Sequence, residues 1–161
     1  MSLCASAVRR PLAFRTSVSH LRRWRSWNQF QCAINQTLIE EHYKILATYK
    51  PPGAAKTLLQ LGFKTAGIDD CWQKCNSGPG GVGYHDAAGN PIVDTDRFPS
   101  MQAMTAKAKS FGVVPGWYGN NCHCKETRCS GDECFAGDVK ATIDYGFESI
   151  KLDGCGLFCP P

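Results

Sequence analysis

Three acidic residues stand where a carboxylate could do chemistry: Asp69 and Asp70, after the short apolar run Phe63 to Ile68, and Asp153, after Phe147 to Leu152. A carboxylate at the C-terminal end of a strand can attack an electrophilic carbon, and a pair of them can grip nearby hydroxyls through charge-assisted hydrogen bonds. Lys151, two residues before Asp153 and therefore on the same strand face, can stabilise the anion. Plainer roles remain open, with Asp153-Gly154 as a structural turn and Asp69-Asp70 as a solvated acidic loop. Adjacent strand residues face opposite ways, so one of Asp69 and Asp70 enters a pocket directly and the other turns through the loop. Trp24, Trp27, Trp72, Trp117 and Tyr118 supply aromatic faces of the kind that pack on the C–H face of a sugar, and most such residues in a barrel are core.

An alternation of helix-like and strand-like segments positions these groups. Arg22 to Trp27 reads as a first strand. Apolar positions from Thr37 to Leu61 recur at helical spacing but are interrupted by Lys50-Pro51-Pro52-Gly53, which predicts two helices or one broken helix. Phe63 to Ile68 is the next strand, and a glycine-rich loop (Gly78 to Gly83) leads to a hairpin turn at Asp86 to Pro91. Ser100 to Phe111 reads as a helix stopped by Gly112, and Val113 to Tyr118 as a strand. Phe135 to Tyr145 and Phe147 to Leu152 repeat the pattern. The result is (βα)₃β, an α/β fold with a parallel sheet. Asn28, Asp69, Asp70, Tyr118, Asn120 and Asp153 all fall at C-terminal strand ends, the active rim of an α/β barrel. A complete barrel takes eight such units and roughly 200 to 250 residues, so the chain is expected to hold half of one. No Gly-x-Gly-x-x-Gly follows a strand, and nucleotide binding is not expected.

The 161 residues include 18 Lys+Arg, 14 Asp+Glu, 43% hydrophobic residues and 10 Cys, the composition of one globular domain. Arg9, Arg10, Arg15, Arg22, Arg23 and Arg25 all precede the first acid, Glu40; beyond it acids outnumber bases, so no nucleic-acid partner is expected. No apolar run reaches the roughly 18 to 20 residues of a membrane span. Residues 1–22 read as a leader and 23–161 as the folded domain. The leader, rich in Arg and Ser and free of acids, resembles a transit peptide, whereas the sequon Asn35-Gln36-Thr37 and the cysteines point to an oxidising, secretory route. Secreted or lysosomal and organellar destinations both stay open. Cys122, Cys124, Cys129, Cys134, Cys155 and Cys159 could offer thiolates to zinc, but the spacing is not that of common zinc modules, and disulfides are the better reading. No metal or other cofactor is expected. His42, His85 and His123 lack ligand spacing and are expected to be solvated.

Four motifs carry a resemblance. Trp24-Arg-Ser-Trp27-Asn28 with Cys32 resembles the opening of glycoside hydrolase family 27, the alpha-galactosidase or melibiase family, although Arg23 stands where that family usually has glycine. Ile68-Asp69-Asp70-Cys71-Trp72 resembles its second-strand signature. Gly89-Asn90 with Asp94-x-Asp96-Arg97-Phe98-Pro99-Ser100 resembles its substrate-side hairpin, and Ile150-Lys151-Leu152-Asp153-Gly154-Cys155 its nucleophile strand. The match runs in order from about Arg23 to Leu157. It implies a (β/α)8 barrel, represented by its first four strands and three helices, and retaining hydrolysis of terminal non-reducing α-D-galactosides.

The resemblance also assigns roles. Asp153 is implied to be the nucleophile, Asp69 and Asp70 to hold the 4- and 6-hydroxyls of galactose, Lys151 and Tyr118 to line the pocket, and Trp24 to stack on the sugar, leaving Trp27 and Trp117 as packing. It implies a disulfide between Cys32 and Cys71, and another from Cys155 to Cys122 or Cys124, with Cys75, Cys129, Cys134 and Cys159 as extra loop staples. Retaining hydrolysis uses two carboxyls about 5 to 5.5 Å apart. The family's acid/base lies after the sixth strand, beyond residue 161, so this chain alone is expected to be inactive. A non-catalytic carbohydrate-binding or vestigial protein, and N-acetylgalactosaminidase specificity, are the alternatives.

Overall fold

The computed structural model describes residues 22–119, 122–124 and 132–153. In chain order the elements are β1 (Arg23–Arg25), a single helical turn α1 (Trp27–Phe30), α2 (Gln36–Thr48), β2 (Thr65–Gly67), α3 (Met101–Ser110), β3 (Val114–Gly119), α4 (Asp132–Asp144) and β4 (Ser149–Leu152). The four strands form one parallel sheet in the order β1-β2-β3-β4. This is the alternation read from the sequence, with one exception.

Asn35 starts α2 by accepting the Leu38 N–H on its side chain at 2.9 Å, and Ile39, Tyr43 and Leu46 form the buried face. After Thr48 no second helix follows. Pro51 and Pro52 have no N–H to donate, and Thr57 to Leu61 make only a turn, closed by reciprocal Thr57–Gln60 hydrogen bonds. Gly62, at φ +99°, then turns the chain into β2. Ser100 caps α3 through Ala103 N–H at 3.1 Å, while Met101, Met104, Thr105 and Ala108 face inward.

The sheet register decides what faces what. Arg25, Gly67, Gly116 and Ser149 are paired across the four strands and so lie in one row. Two residues further along, Asp69, Tyr118 and Lys151 share that face at the C-terminal rim. On the helix side Ala66, Ile68 and Trp117 pack with Ile39, Tyr43, Leu46, Met104 and Ala108, and Trp72 lies against Trp117 with ring centroids 4.1 Å apart. Among the described residues no strand pairs with the far side of β4, and Ile150 and Leu152 are exposed, as are Val139 and Ile143 on α4. Among the described residues no helix is long and apolar enough to cross a membrane.

Candidate active site

The rim cluster is built around Lys151. Its Nζ donates to both Asp69 oxygens, at 3.1 and 2.9 Å, and lies 3.1 Å from Asp153 Oδ2. The same ammonium sits 5.1 Å from the centre of the Tyr118 ring, within cation–π range, and Tyr118 Oη donates to Asp153 Oδ2 at 3.2 Å. One cation thus bridges the carboxylates that end β2 and β4. Burial on its own pulls the Lys151 ammonium down, but the hydrogen bonds and charges of Asp69 and Asp153 outweigh it and hold the group above its ordinary value. Burial, then the negative charges of Asp70 and Asp153, push Tyr118 up, so its phenol stays a neutral donor. Exposure separates the two bridged acids: the Asp69 side chain is 2% exposed and that of Asp153 39%. Asp153 is the carboxylate an incoming molecule can reach.

Asp69 enters the pocket face and Asp70 turns into the loop. Asp70 Oδ1 accepts the Cys71 N–H at 2.7 Å, and Oδ2 accepts the N–H groups of Cys122 and His123, each at 2.8 Å. Asp70 therefore ties the loop after β2 to the loop after β3. Two disulfides reinforce the same rim, Cys32–Cys71 and Cys75–Cys124. The second removes Cys124 from the two candidate partners of Cys155, a residue that lies outside the described ones. Cys122 and Cys134 are also disulfide-bonded. The sulfurs of Cys32 and Cys71 lie near the His123 ring, but joined to each other they are not thiolates and offer no metal site.

Several expectations need correction. Trp24 is not at the cluster. Arg25 occupies the inner face of β1, so Trp24 points to the opposite side, where its ring stacks on His42 at 4.4 Å and meets Phe30 edge-on. Trp27, expected as packing, is 38% exposed at the rim, next to the buried Ser26. His85 is buried rather than solvated, with Nε2 3.2 Å from Asp138 on α4. The Asp94 to Ser100 segment is structural in its contacts: Arg97 donates to the carbonyls of Cys32, Ile34 and Cys71. The Gly89-Asn90 turn is held by Asp86, whose carboxyl the Asn90 hydrogen bonds keep below the usual range.

Two residues at the site escaped sequence reasoning. Ser26 Oγ accepts the Asp69 N–H at 3.0 Å, and Arg25 Nη1 donates to the carbonyls of Ile68 and Trp117. The available signal was the pair of glycines, Gly67 and Gly116, that leave room for the arginine, and it can be used only once the register is known.

No family model matches the chain. Curated proteins do: alpha-galactosidase 2 of Arabidopsis thaliana is 28% identical over 135 residues, 82% of this chain and 30% of that protein. The likeness is to alpha-galactosidases. The alpha-galactosidase of Oryza sativa subsp. japonica is 29% identical over 82% of this chain and 29% of its own length. The chain thus spans about 30% of the length of these relatives. Among solved structures, alpha-galactosidase I from Mortierella vinacea superposes with a TM-score of 0.61 at 24% identity, covering 83% of this chain and 30% of that one. The Saccharomyces cerevisiae alpha-galactosidase solved with raffinose gives 0.60 at 20% identity, over 83% and 26% of the two chains. The resemblance carried by the four motifs holds in these comparisons, and the fold is a fragment of the (β/α)8 barrel, its first four strands with their helices.

Proposed function

We propose that this chain forms the N-terminal part of a retaining glycoside hydrolase acting on terminal non-reducing α-D-galactosides, with Asp153 as its nucleophile. The observation that carries the reading is the Lys151 bridge between the buried Asp69 and the accessible Asp153. In this mechanism an Asp153 oxygen bonds to the anomeric carbon as the bond to the leaving oxygen breaks, and a second carboxyl protonates that oxygen. Water then cleaves the glycosyl ester and frees Asp153. Lys151 and Tyr118 both hold Oδ2 of Asp153, which orients the carboxylate. Asp69, an acceptor turned to the pocket face, takes sugar hydroxyls together with Lys151. A carboxylate has about four acceptor sites. Three on Asp70 are filled by backbone N–H groups, so Asp70 acts first as loop anchor and reaches the sugar only through the site that remains.

The proton-donating carboxyl belongs, on this reading, to a later strand of the complete barrel, and the chain on its own does not turn over an aryl α-galactoside. The disulfides at the rim support an oxidising destination, secreted or lysosomal. The test is a mechanism-based fluorogalactoside on the full-length protein. Slowing the second step lets the ester accumulate, and the label is expected on the peptide that contains Lys151 to Asp153. Label on another peptide removes Asp153 from the nucleophile's role.

A further inference from the structure

We infer that Arg25 is a positioning residue that, together with Ser26, fixes the peptide carrying Asp69. The inference rests on the reading of Asp69 as a sugar-holding residue for its functional meaning, but its geometry stands apart from it. Arg25 lies on the inner face of β1, in the row beneath the rim cluster. Its Nη1 donates to the Ile68 carbonyl at 3.0 Å and to the Trp117 carbonyl at 2.9 Å. These are the carbonyls of the two peptide bonds that lead into Asp69 and into Tyr118. The other side of the first peptide is also held, because the Asp69 N–H donates to Ser26 Oγ at 3.0 Å. Arg25, the last residue of β1, and Ser26, which follows it, therefore grip both polar groups of the Ile68–Asp69 peptide. A planar peptide held at both its C=O and its N–H cannot rotate, and the direction of the Asp69 side chain follows.

The inner face is shaped for this arginine. A Cβ on Gly67 would overlap Arg25 Nη1 and displace the guanidinium, while one on Gly116 would lie in tight contact with Ser149 Oγ and Arg25 Nη2. Gly67 leaves the row free for the arginine to cross from β1 to β3. Burial pulls the guanidinium down, and the charge of Asp69 is the largest influence opposing it. Arginine stays charged through such a shift, and its fork can serve two carbonyls, which a lysine's point charge serves poorly.

The test uses Arg25→Met, which keeps most of the stem and loses the donors, and Ser26→Ala, which releases the other end of the same peptide. The readouts are hydrogen exchange at the Asp69 and Tyr118 amides and the ¹⁵Nζ signal of Lys151, two of whose three carboxylate contacts are to Asp69. Arg25→Met is expected to speed Asp69 amide exchange about tenfold or more and to broaden the Lys151 signal, with amides of α2 and α3 unchanged. Arg25→Lys should restore part of the Lys151 signal. Galactose binding, measured separately, is expected to weaken about tenfold in Arg25→Met. If the unmodified protein fails to bind galactose, the galactoside reading fails, while the Lys151 signal still decides the role of Arg25. An Arg25→Met protein with unchanged Asp69 exchange and an intact Lys151 signal overturns the inference. Should Arg25→Met not fold, unchanged Asp69 exchange and an intact Lys151 signal in Ser26→Ala overturn it equally.

Discussion

Replacing Lys151 by Met removes the cation that bridges the carboxylates at the ends of β2 and β4 while keeping the stem of the side chain. Three contacts to ionised oxygens disappear, two to Asp69 and one to Asp153. Breaking a buried pair by removing one partner costs about 3 to 5 kcal/mol, and an exposed pair is worth about 0 to 1 kcal/mol. The Asp69 end is 2% exposed, the Asp153 end 39% and the lysine itself 34%, so the loss falls between these limits. We expect about 2 kcal/mol at neutral pH, mostly from an Asp69 left with fewer partners. Urea unfolding with an unchanged m-value and a lower midpoint measures it. The pH dependence fixes the sign. Because Lys151 in the folded state is held above its ordinary 10.5, its contribution is complete below that value and is lost as pH rises through the raised one. The gap between the two proteins should therefore be constant from neutral pH to about 10 and then close. A loss under about 0.5 kcal/mol, or a gap that persists unchanged far into the alkaline range, would refute the bridge as an energetic unit.

Asp153→Asn in the full-length protein should abolish turnover and leave galactose affinity nearly unchanged, as isothermal titration would record, because the amide is close to isosteric but forms no glycosyl ester. Asp70→Asn should cost about 2 kcal/mol and speed hydrogen exchange at Cys122 and His123, since its NH₂ meets backbone donors where an oxygen accepted them. Trp24→Ala should leave sugar affinity within about twofold, its ring being committed to His42, with binding by titration as the check. Ser100→Ala removes the cap of α3 and should lower stability by about 1 kcal/mol in a urea titration.

The nearness of Lys151 to Asp153 was readable, because parity along a strand places them on one face, and the same parity splits Asp69 from Asp70; that Lys151 reaches Asp69 depends on the register across β2, β3 and β4. The face of β1 was not readable. A strand of three residues has no periodicity of its own, and Trp24 or Arg25 could each have faced inward until the register set Arg25 opposite Gly67. His85 was missed for a related reason: its burial depends on α4 reaching back to the hairpin, a contact between residues 53 apart that local spacing does not encode. The stretch after Pro52 kept helical spacing in its leucines, yet too few residues remained before Gly62 for that spacing to become a helix. Loop anchoring by Asp70 was visible only as an ambiguity, since the sequence requires one acid to turn away and does not say toward what.

Every pairing in the sheet joins strands consecutive in the chain, and this sets an order of events during synthesis. As the ribosome releases the chain from its N-terminus, β2 meets a β1 already present, and β3 and β4 each find their template made before them. Among the described residues the most exposed aliphatic side chains are Val139 and Ile143 on α4 and Leu152 on β4. A chaperone that follows exposed aliphatic groups would thus bind the advancing end of the nascent chain and let go of each unit as the next one folds over it.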